Sequence, residues 1–582
     1  MYILALHLGH NSTVSLYKDT KFLEVVSQEK FDNIKNSSKF PTEAIEYILK
    51  KYDLNPSDIE HIVNASKYVF PNQMYDYLHS SNEYNRVNFF RENIRKTYRY
   101  LEYKTNLSIF DIIQEKRMKK FANIGYIEFT TKLKNMGFNI SNIHMFEHHD
   151  CHAYSPISIY GDNDEDWLIF TMDGSGDGLS STVSTYKKGK IERIAQTHQK
   201  HSLGGVYSNT TKYLGMKILE HEYKVMGLAA YSKEEYFKKT YEKIYKDLIW
   251  LKEDGLTFDS KFPINNLELY LKEKAFGERF DNIAGSLQYF TEMLVKEWIL
   301  NAIKKTGIKN IMTSGGVFMN VKMNQKILDM PEVEKAFFMP SCGDESNVFG
   351  ATAYFVKNKL NQKMKRNLPI YLGMEYSNEE IEKFIKENQI ENKYKVEFFP
   401  EIEKKIAQLL ADFNTVARFA GRTEFGARSL GNRALLANPS DMKSFYMVND
   451  QIKVRDFWMP FAPSILDTHI KKYVKNYDEE KYIPYYMIAT YESTEEFQKD
   501  CRAAMHQGDK TARPQVVTKN ANEKYYKVIS EFEKLTGIGA VLNTSLNLHG
   551  YPLVGTPEQA IFTLENSDLQ YLAIENWLIS KK

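Results

Sequence analysis

The sequence predicts an α/β protein with a duplicated nucleotide-type fold in its first half, and three stretches carry that expectation. Residues 2–7 form an apolar run that turns at Gly9-His10-Asn11-Ser12 and returns through 13–17. A second run, Trp167-Leu168-Ile169-Phe170-Thr171-Met172, ends in Asp173-Gly174-Ser175-Gly176-Asp177-Gly178 and returns through a Ser-, Thr- and Val-rich stretch at 180–186. Both read as strand, small polar turn, strand, with turn N–H groups open to a phosphate. The third stretch, 309–320, is a strand that meets Gly315-Gly316 and starts a helix, which commonly sets backbone beside a nucleotide.

The remaining first-half elements follow from local pattern. In Glu147-His148-His149-Asp150-Cys151-His152, His148 and His152 stand four apart, so on a helix both imidazoles leave one face and can grip one metal ion. Asp173 is delivered to its site by the end of a strand. A later apolar run at 336–340 delivers Ser341-Cys342-Gly343-Asp344-Glu345-Ser346 to a second strand end before a helical pattern. Two histidines and two aspartates make an oxygen-rich first-row site suited to iron, manganese or zinc. The HExxH signature of zinc proteases is absent, because His149 stands where its glutamate would be.

Stretch 70–135 is rich in Tyr, Arg and Lys, as in Arg91-Glu92-Asn93-Ile94-Arg95-Lys96-Thr97-Tyr98-Arg99-Tyr100. It reads as a solvated helical insertion with aromatics on its buried side, in preference to a nucleic-acid stripe. Residues 232–280 read as a charged helical excursion and 282–306 as an amphipathic helix. The polar, basic run at 357–367 marks a domain boundary.

Beyond it, a strand at 415–420 leads into Gly421-Arg422-Thr423-Glu424-Phe425-Gly426-Ala427-Arg428-Ser429-Leu430-Gly431-Asn432-Arg433. Forked guanidiniums beside unencumbered backbone suit capture of phosphate or carboxylate. Lys453, Arg455, the compact Pro460-Phe461-Ala462-Pro463, His506, Arg513-Pro514 and Leu542-Asn543-Thr544-Ser545-Leu546-Asn547 follow. No GxxxxGK[ST] loop occurs, which disfavours a P-loop enzyme.

Composition sets outer limits. A chain of 582 residues has room for two to four domains. Lys+Arg 77 against Asp+Glu 75 leaves +2, which demands neither nucleic acid nor an anionic membrane. Three cysteines cannot build a disulfide framework or a CxxC zinc ribbon, so a reducing, cytoplasmic setting is expected. The first residues lack a basic signal region, and no apolar run approaches a membrane span.

With these residues assembled, the chain resembles the O-carbamoyltransferases of antibiotic and nodulation-factor biosynthesis, which are similar to a Kae-like metal domain fused to a YrdC-like domain. The resemblance rests on Gly9-His10-Asn11, His148-xxx-His152, Asp173-Gly174, Glu222-Tyr223-Lys224-Val225-Met226-Gly227-Leu228-Ala229, Gly315-Gly316-Val317 and Gly343-Asp344-Glu345. In the second half it rests on Phe425-Gly426-xx-Ser429-Leu430-Gly431-Asn432-Arg433, Pro460-Phe461-Ala462-Pro463, Thr511-Ala512-Arg513 and Asn543-Thr544-Ser545. It implies a duplicated actin-like (ASKHA, Kae-like) domain over 1–358 and an α+β YrdC-like domain over 368–582.

Two reactions are implied. The second domain would make carbamoyl adenylate from carbamoyl phosphate and ATP with Mg2+, and the first would move the carbamoyl group to an acceptor hydroxyl. By motif position His148, His152, Asp173 and Asp344 would hold the metal, Fe2+ in the family, and His10 and Lys35 would meet the carbamoyl adenylate. Arg428, Arg433, Lys453, Arg513, Asn543 and Ser545 would line the adenylate-forming site, with Gly315 and Gly316 beside nucleotide in the first domain. Met459 departs from relatives that carry an arginine before Pro-Phe-Ala-Pro, which leaves Arg455 or Arg422 to serve in its place. The acceptor stays open among sugars, aminoglycosides, polyketides and glycans, as does assembly into a homo-oligomer.

Three alternatives compete with this reading. Hydrogenase-maturation carbamoyl transfer would need the opposite module order and cysteine zinc motifs. A tRNA threonylcarbamoylation-type enzyme would need an RNA surface that +2 does little to support. A non-catalytic ATP-dependent binding module would not need the second-half arginines.

Overall fold

The computed structural model describes residues 1–71 and 109–582. The basic run from Arg91 to Tyr100 lies outside these, and the helix Ile109–Asn135 follows it. Among the described residues no helix is long and apolar enough to cross a membrane. The chain forms two compact units. One holds Met1–Leu23, Asn36–Met319 and Met330–Asn367; the other holds Glu24–Lys35, Asn320–Asp329 and Leu368–Lys582.

The first unit contains the expected duplication. β1 (Tyr2–His7) pairs antiparallel with β2 (Thr13–Lys18), with β3 (Lys21–Ser27) next to β2; β4 (Ile59–Asn64) joins β1 in parallel and β5 (Ile143–Met145) joins β4 in parallel. The second sheet repeats this plan. β6 (Trp167–Gly176), β7 (Leu179–Lys187) and β8 (Lys190–His198) form an antiparallel meander, and β11 (Asn310–Ser314) and β12 (Lys335–Phe338) add in parallel on the β6 side. Both sheets therefore run third, second, first, fourth, fifth strand. That shared order is the duplicated actin-like architecture.

Each repeat's fifth strand leads to a helix: β5 to His148–Tyr160, and β12 through Asp344 to Asn347–Asn358. These two helices approach closely, because a Cβ on Gly350 would stand 1.7 Å from the Cys151 carbonyl oxygen, and Ser155 Oγ donates to Ser346 O at 2.9 Å. Only glycine admits that contact.

The charged stretch at 232–280 is not wholly helical. Helices Glu234–Ile244 and Leu267–Lys274 flank a hairpin, β9 (Ile249–Leu251) with β10 (Phe258–Ser260). The Asp254 carboxylate accepts from the N–H groups of Leu256 and Thr257 and so sets the turn. Its strands are three residues each, too short to show a period of two. The expected helix at 282–306 is present as Phe280–Thr306.

The second unit is a mixed eight-stranded sheet, formed from β13 (Tyr394–Phe398), β14 (Val416–Phe419), β15 (Arg433–Ala437), β16 (Ala462–Leu466), β19 (Gln515–Val517), β20 (Ala540–Ser545), β21 (Tyr571–Ile574) and β22 (Trp577–Lys581). A two-stranded ladder of β17 (Tyr491–Glu492) and β18 (Thr511–Ala512) is separate. Strand parity sorts its side chains into two cores. Ala417, Phe419, Leu435, Leu572 and Ile574 meet Ile381, Ile385, Ala560 and Leu564 on one face. Val416, Ala434, Leu436 and Ala573 meet Ile406, Leu410, Val528 and Phe532 on the other. Helices cover both faces, as a sheet apolar on both sides requires.

Candidate active sites: a metal centre and a cation pocket

The duplicated plan explains how three separated segments reach one point in the first unit. His148 and His152 open the helix after the fifth strand of the first repeat, and Asp344 stands at the corresponding place in the second. Asp173 lies near the end of β6. His148 Nε2 is 3.2 Å from Asp173 Oδ2 and 3.5 Å from Asp344 Oδ1; His152 Nε2 is 3.5 and 3.4 Å from the same atoms. The four ligand atoms lie within 4.8 Å of one another.

The electrostatics fit a cation. Burial opposes charge on Asp173, yet hydrogen bonds with His148 and His152 hold it well below the usual carboxylate range. Burial also opposes a charged His148, but Asp344 and Asp173 lift it to about 9. His152 is raised against its burial by hydrogen bonds to the same two carboxylates. Two half-buried carboxylates call for positive charge there, and two neutral imidazoles with two carboxylates would hold a divalent ion that supplies it. His152 is oriented from behind by Ser314 Oγ, 3.0 Å from its Nδ1, and Asn347 Nδ2 is 3.2 Å from its Nε2.

Gly315 and Gly316 lie against Met172 and Asp173 of β6. Gly315 has φ +100°, and a Cβ there would stand 2.3 Å from the Met172 carbonyl oxygen; one on Gly316 would stand 3.0 Å from Asp173 Oδ1. His10 sits in the turn after β1, where its carbonyl lies 3.2 Å from His7 Nε2. His7 was not singled out by the sequence, although it too is a strand-end polar residue. Its Nε2 is 4.0 Å from Asp344 Oδ2, and burial depresses it to about 4, so it is neutral at neutral pH. Lys35 belongs to the second unit, where burial, then Arg455 and Lys35, hold the Lys453 ammonium well below its ordinary value.

In the second unit the expected basic residues divide into two kinds. Arg433 is fully buried and donates to the carbonyls of Ala420, Gly421, Asn432 and Met374, with its guanidinium carbon 3.6 Å from the Phe419 ring centroid. Burial lowers it to about 10, partly opposed by Glu424. Lys453 donates to Ser545 O at 2.5 Å, Asn547 O at 2.9 Å and Asn547 Oδ1 at 2.5 Å. Arg422 is tied to Glu24 at 2.9 Å and to the Leu372 and Gly373 carbonyls. These cations hold backbone in place.

Arg513 is different. Burial, then Arg428 and Arg455, hold its guanidinium well below its ordinary value, and among the described residues it has no hydrogen-bond or ion-pair partner. Three guanidiniums that depress one another at this cost to the charged form are a candidate anion site.

The surrounding loop is wound on a residue the sequence did not flag. Glu424 Oε1 accepts from the N–H groups of Leu430, Asn432 and Arg433 at 2.7, 3.0 and 3.2 Å. Gly431 has φ +109°, and a Cβ there would stand 2.2 Å from the Tyr525 ring. Asn543 anchors the loop through Ser429, its Nδ2 donating to Ser429 O at 3.1 Å and its Oδ1 accepting from Ser429 Oγ at 3.1 Å. Ser545 Oγ donates to Asn547 Oδ1 at 2.7 Å. Met459 is buried, where an arginine side chain would have to lose its water.

Fold and sites together define an α/β protein of two units, one with a candidate metal centre and one with a candidate cation pocket. Residues 3–353 match the family described as Carbamoyltransferase N-terminus, and 407–581 match Carbamoyltransferase C-terminus. The chain is 31% identical to an uncharacterized protein of Methanocaldococcus jannaschii over 100% of this chain and 99% of that one. It is 28% identical to Nodulation protein NolNO of Sinorhizobium fredii, over 98% of this chain and 79% of the relative. With Nodulation protein NolO of Bradyrhizobium diazoefficiens it shares 29% identity over 75% and 79%. The chain belongs to the carbamoyltransferase family, and it is an enzyme of that class.

Proposed function

We propose that the protein is a two-step O-carbamoyltransferase. The second unit, read as YrdC-like, takes carbamoyl phosphate, ATP with Mg2+ and one water and releases carbamoyl adenylate, orthophosphate and pyrophosphate. The first unit, read as Kae-like, passes the carbamoyl group to a hydroxyl of a small-molecule or sugar acceptor, and AMP leaves. The observation that carries this reading is Arg513 set against Arg428 and Arg455 without a carboxylate of its own. Joining two polyanions requires fixed cations whose partners are the substrates themselves.

Arg428, Arg455 and Arg513 are the phosphate contacts in this scheme, with Arg455 taking the part that Met459 cannot. Arg433, Lys453, Glu424 and Asn543 are positioning residues that keep the Gly421-to-Arg433 loop and the Ser545 end of β20 in place. In the first unit His148, His152, Asp173 and Asp344 would hold iron, which when bound supplies Lewis-acid stabilisation of charge on the carbamoyl oxygen. His10 takes the proton from the acceptor hydroxyl.

The test is to incubate the protein with ATP, Mg2+ and labelled carbamoyl phosphate, then to add acceptor extracts. Pyrophosphate release that depends on carbamoyl phosphate is expected, followed by a product heavier by about one carbamoyl group. Pyrophosphate release indifferent to carbamoyl phosphate would sink the scheme.

A further inference from the structure

We infer that Gly176, the last residue of β6, and Asp177, in the turn that follows it, form a positioning device for the metal ligand His148. This rests on reading the His148, His152, Asp173 and Asp344 group as a metal centre. The turn is two residues long, Asp177 at φ +49° and Gly178 at φ +94°, the left-handed pair of a tight hairpin. It begins four residues after Asp173, so ligand and turn belong to one short piece of chain.

That piece touches His148 twice. A Cβ on Gly176 would stand 2.1 Å from Cδ2 of the His148 ring and 2.6 Å from Nε2, the nitrogen that faces the carboxylates. The ring is thus laid directly on Gly176 backbone, and any side chain there would push it away. From the other side, Asp177 Oδ2 accepts the His148 backbone N–H at 2.9 Å. The same oxygen accepts Lys67 N–H at 2.8 Å, and Oδ1 accepts from Ser66 Oγ at 2.7 Å. The carboxylate therefore fixes the first residue of the ligand helix against both the β6–β7 turn and the chain leaving β4. An imidazole with its backbone and one ring face fixed has little rotation left, which is the pre-organisation a metal ligand gains from its supporting groups.

Asparagine can reproduce this geometry: its Oδ1 accepts both N–H groups and its Nδ2 donates to Ser66 Oγ. Alanine cannot. Titration of the full-length protein with Co2+, followed by its visible absorption, reads the effect directly, with circular dichroism and thermal melting as controls on folding. Asp177→Ala should bind Co2+ about 10–100-fold more weakly, the range for a lost supporting group. Asp177→Asn should stay close to the unsubstituted protein. Gly176→Ala should weaken binding and alter the absorption bands because it displaces the ring, and it carries the test if Asp177→Ala fails to fold. Unchanged affinity and spectrum in folded Asp177→Ala or Gly176→Ala would overturn the inference. Absence of Co2+ binding by the unsubstituted protein would instead overturn the metal-centre reading beneath it.

Discussion

Among the arginines of the second unit, the carbonyls that each one satisfies set Arg433 apart from Arg513. Arg433 has four carbonyls to satisfy, so Arg433→Ala should cost on the order of 3 kcal/mol of stability, the scale for leaving buried acceptors without a donor. Urea unfolding measures it. Arg513 satisfies nothing inside the described protein, so Arg513→Ala should leave stability unchanged or raised while adenylate formation falls about 10²-fold, as when one transition-state donor is lost. Pyrophosphate release gives that rate. If both variants lose stability alike, Arg513 is structural and the pocket has been misplaced. The sequence could not make this distinction. Arg433 and Arg513 look alike until the carbonyls around each one are known.

At the level of elements, the candidate metal group was legible as a cluster because each of its residues follows from a local rule. Histidines four apart share a helix face, and an aspartate after an apolar run sits at a strand end. His148→Ala or Asp344→Asn should therefore abolish metal binding and carbamoyl transfer yet leave carbamoyl-phosphate-dependent pyrophosphate release in place. Metal content and the two half-reactions, measured on the same preparation, check this; loss of both half-reactions in a folded His148→Ala protein would place the chemistry elsewhere. His7, Glu424 and Asp177 were not legible as functional, since their roles come from contacts that no spacing encodes. The same holds for His61 on β4 and His144 on β5, whose ring nitrogens stand 3.3 Å apart. Burial lowers both from 6.5, and His61 and then Lys359 lower His144 further, while Glu60 partly opposes the shift at His61. Neutral rings are favoured in the fold, so below about pH 6.5 the unfolded chain binds more protons. The stability this pair contributes is full above that pH and falls as pH drops through the lowered values. Melting curves should show a smaller loss between about pH 7.5 and 5.5 in His144→Asn than in the unsubstituted protein.

At the scale of the whole molecule, the duplication was visible as two strand-turn-strand runs, whereas the composition of the second unit was not. A cut at the polar run 357–367 suggests an autonomous second half, because sequence shows only which residues are neighbours along the chain. The second unit also takes Glu24–Lys35 and Asn320–Asp329. Glu24 is fully buried against Arg422, Val25 N donates to Leu372 O at 2.9 Å, and Lys30 Nζ donates to Leu553 O at 3.0 Å. From the other segment Asn324 Nδ2 donates to Ile488 O at 2.7 Å, Thr490 Oγ1 donates to Gln325 Oε1 at 2.8 Å, and Lys322 pairs with Asp509 and Thr511. Thr511 stands two residues before Arg513, so the cation pocket shares a strand end with that anchor. A fragment spanning 368–582 loses all of these partners at once and leaves Arg422 without its carboxylate. It should melt well below the full chain and release no pyrophosphate, and co-expression with a fragment spanning 1–367 should restore both. A lone 368–582 fragment that melts cooperatively at the full-length temperature and turns over at the full-length rate would show that the two borrowed segments are dispensable.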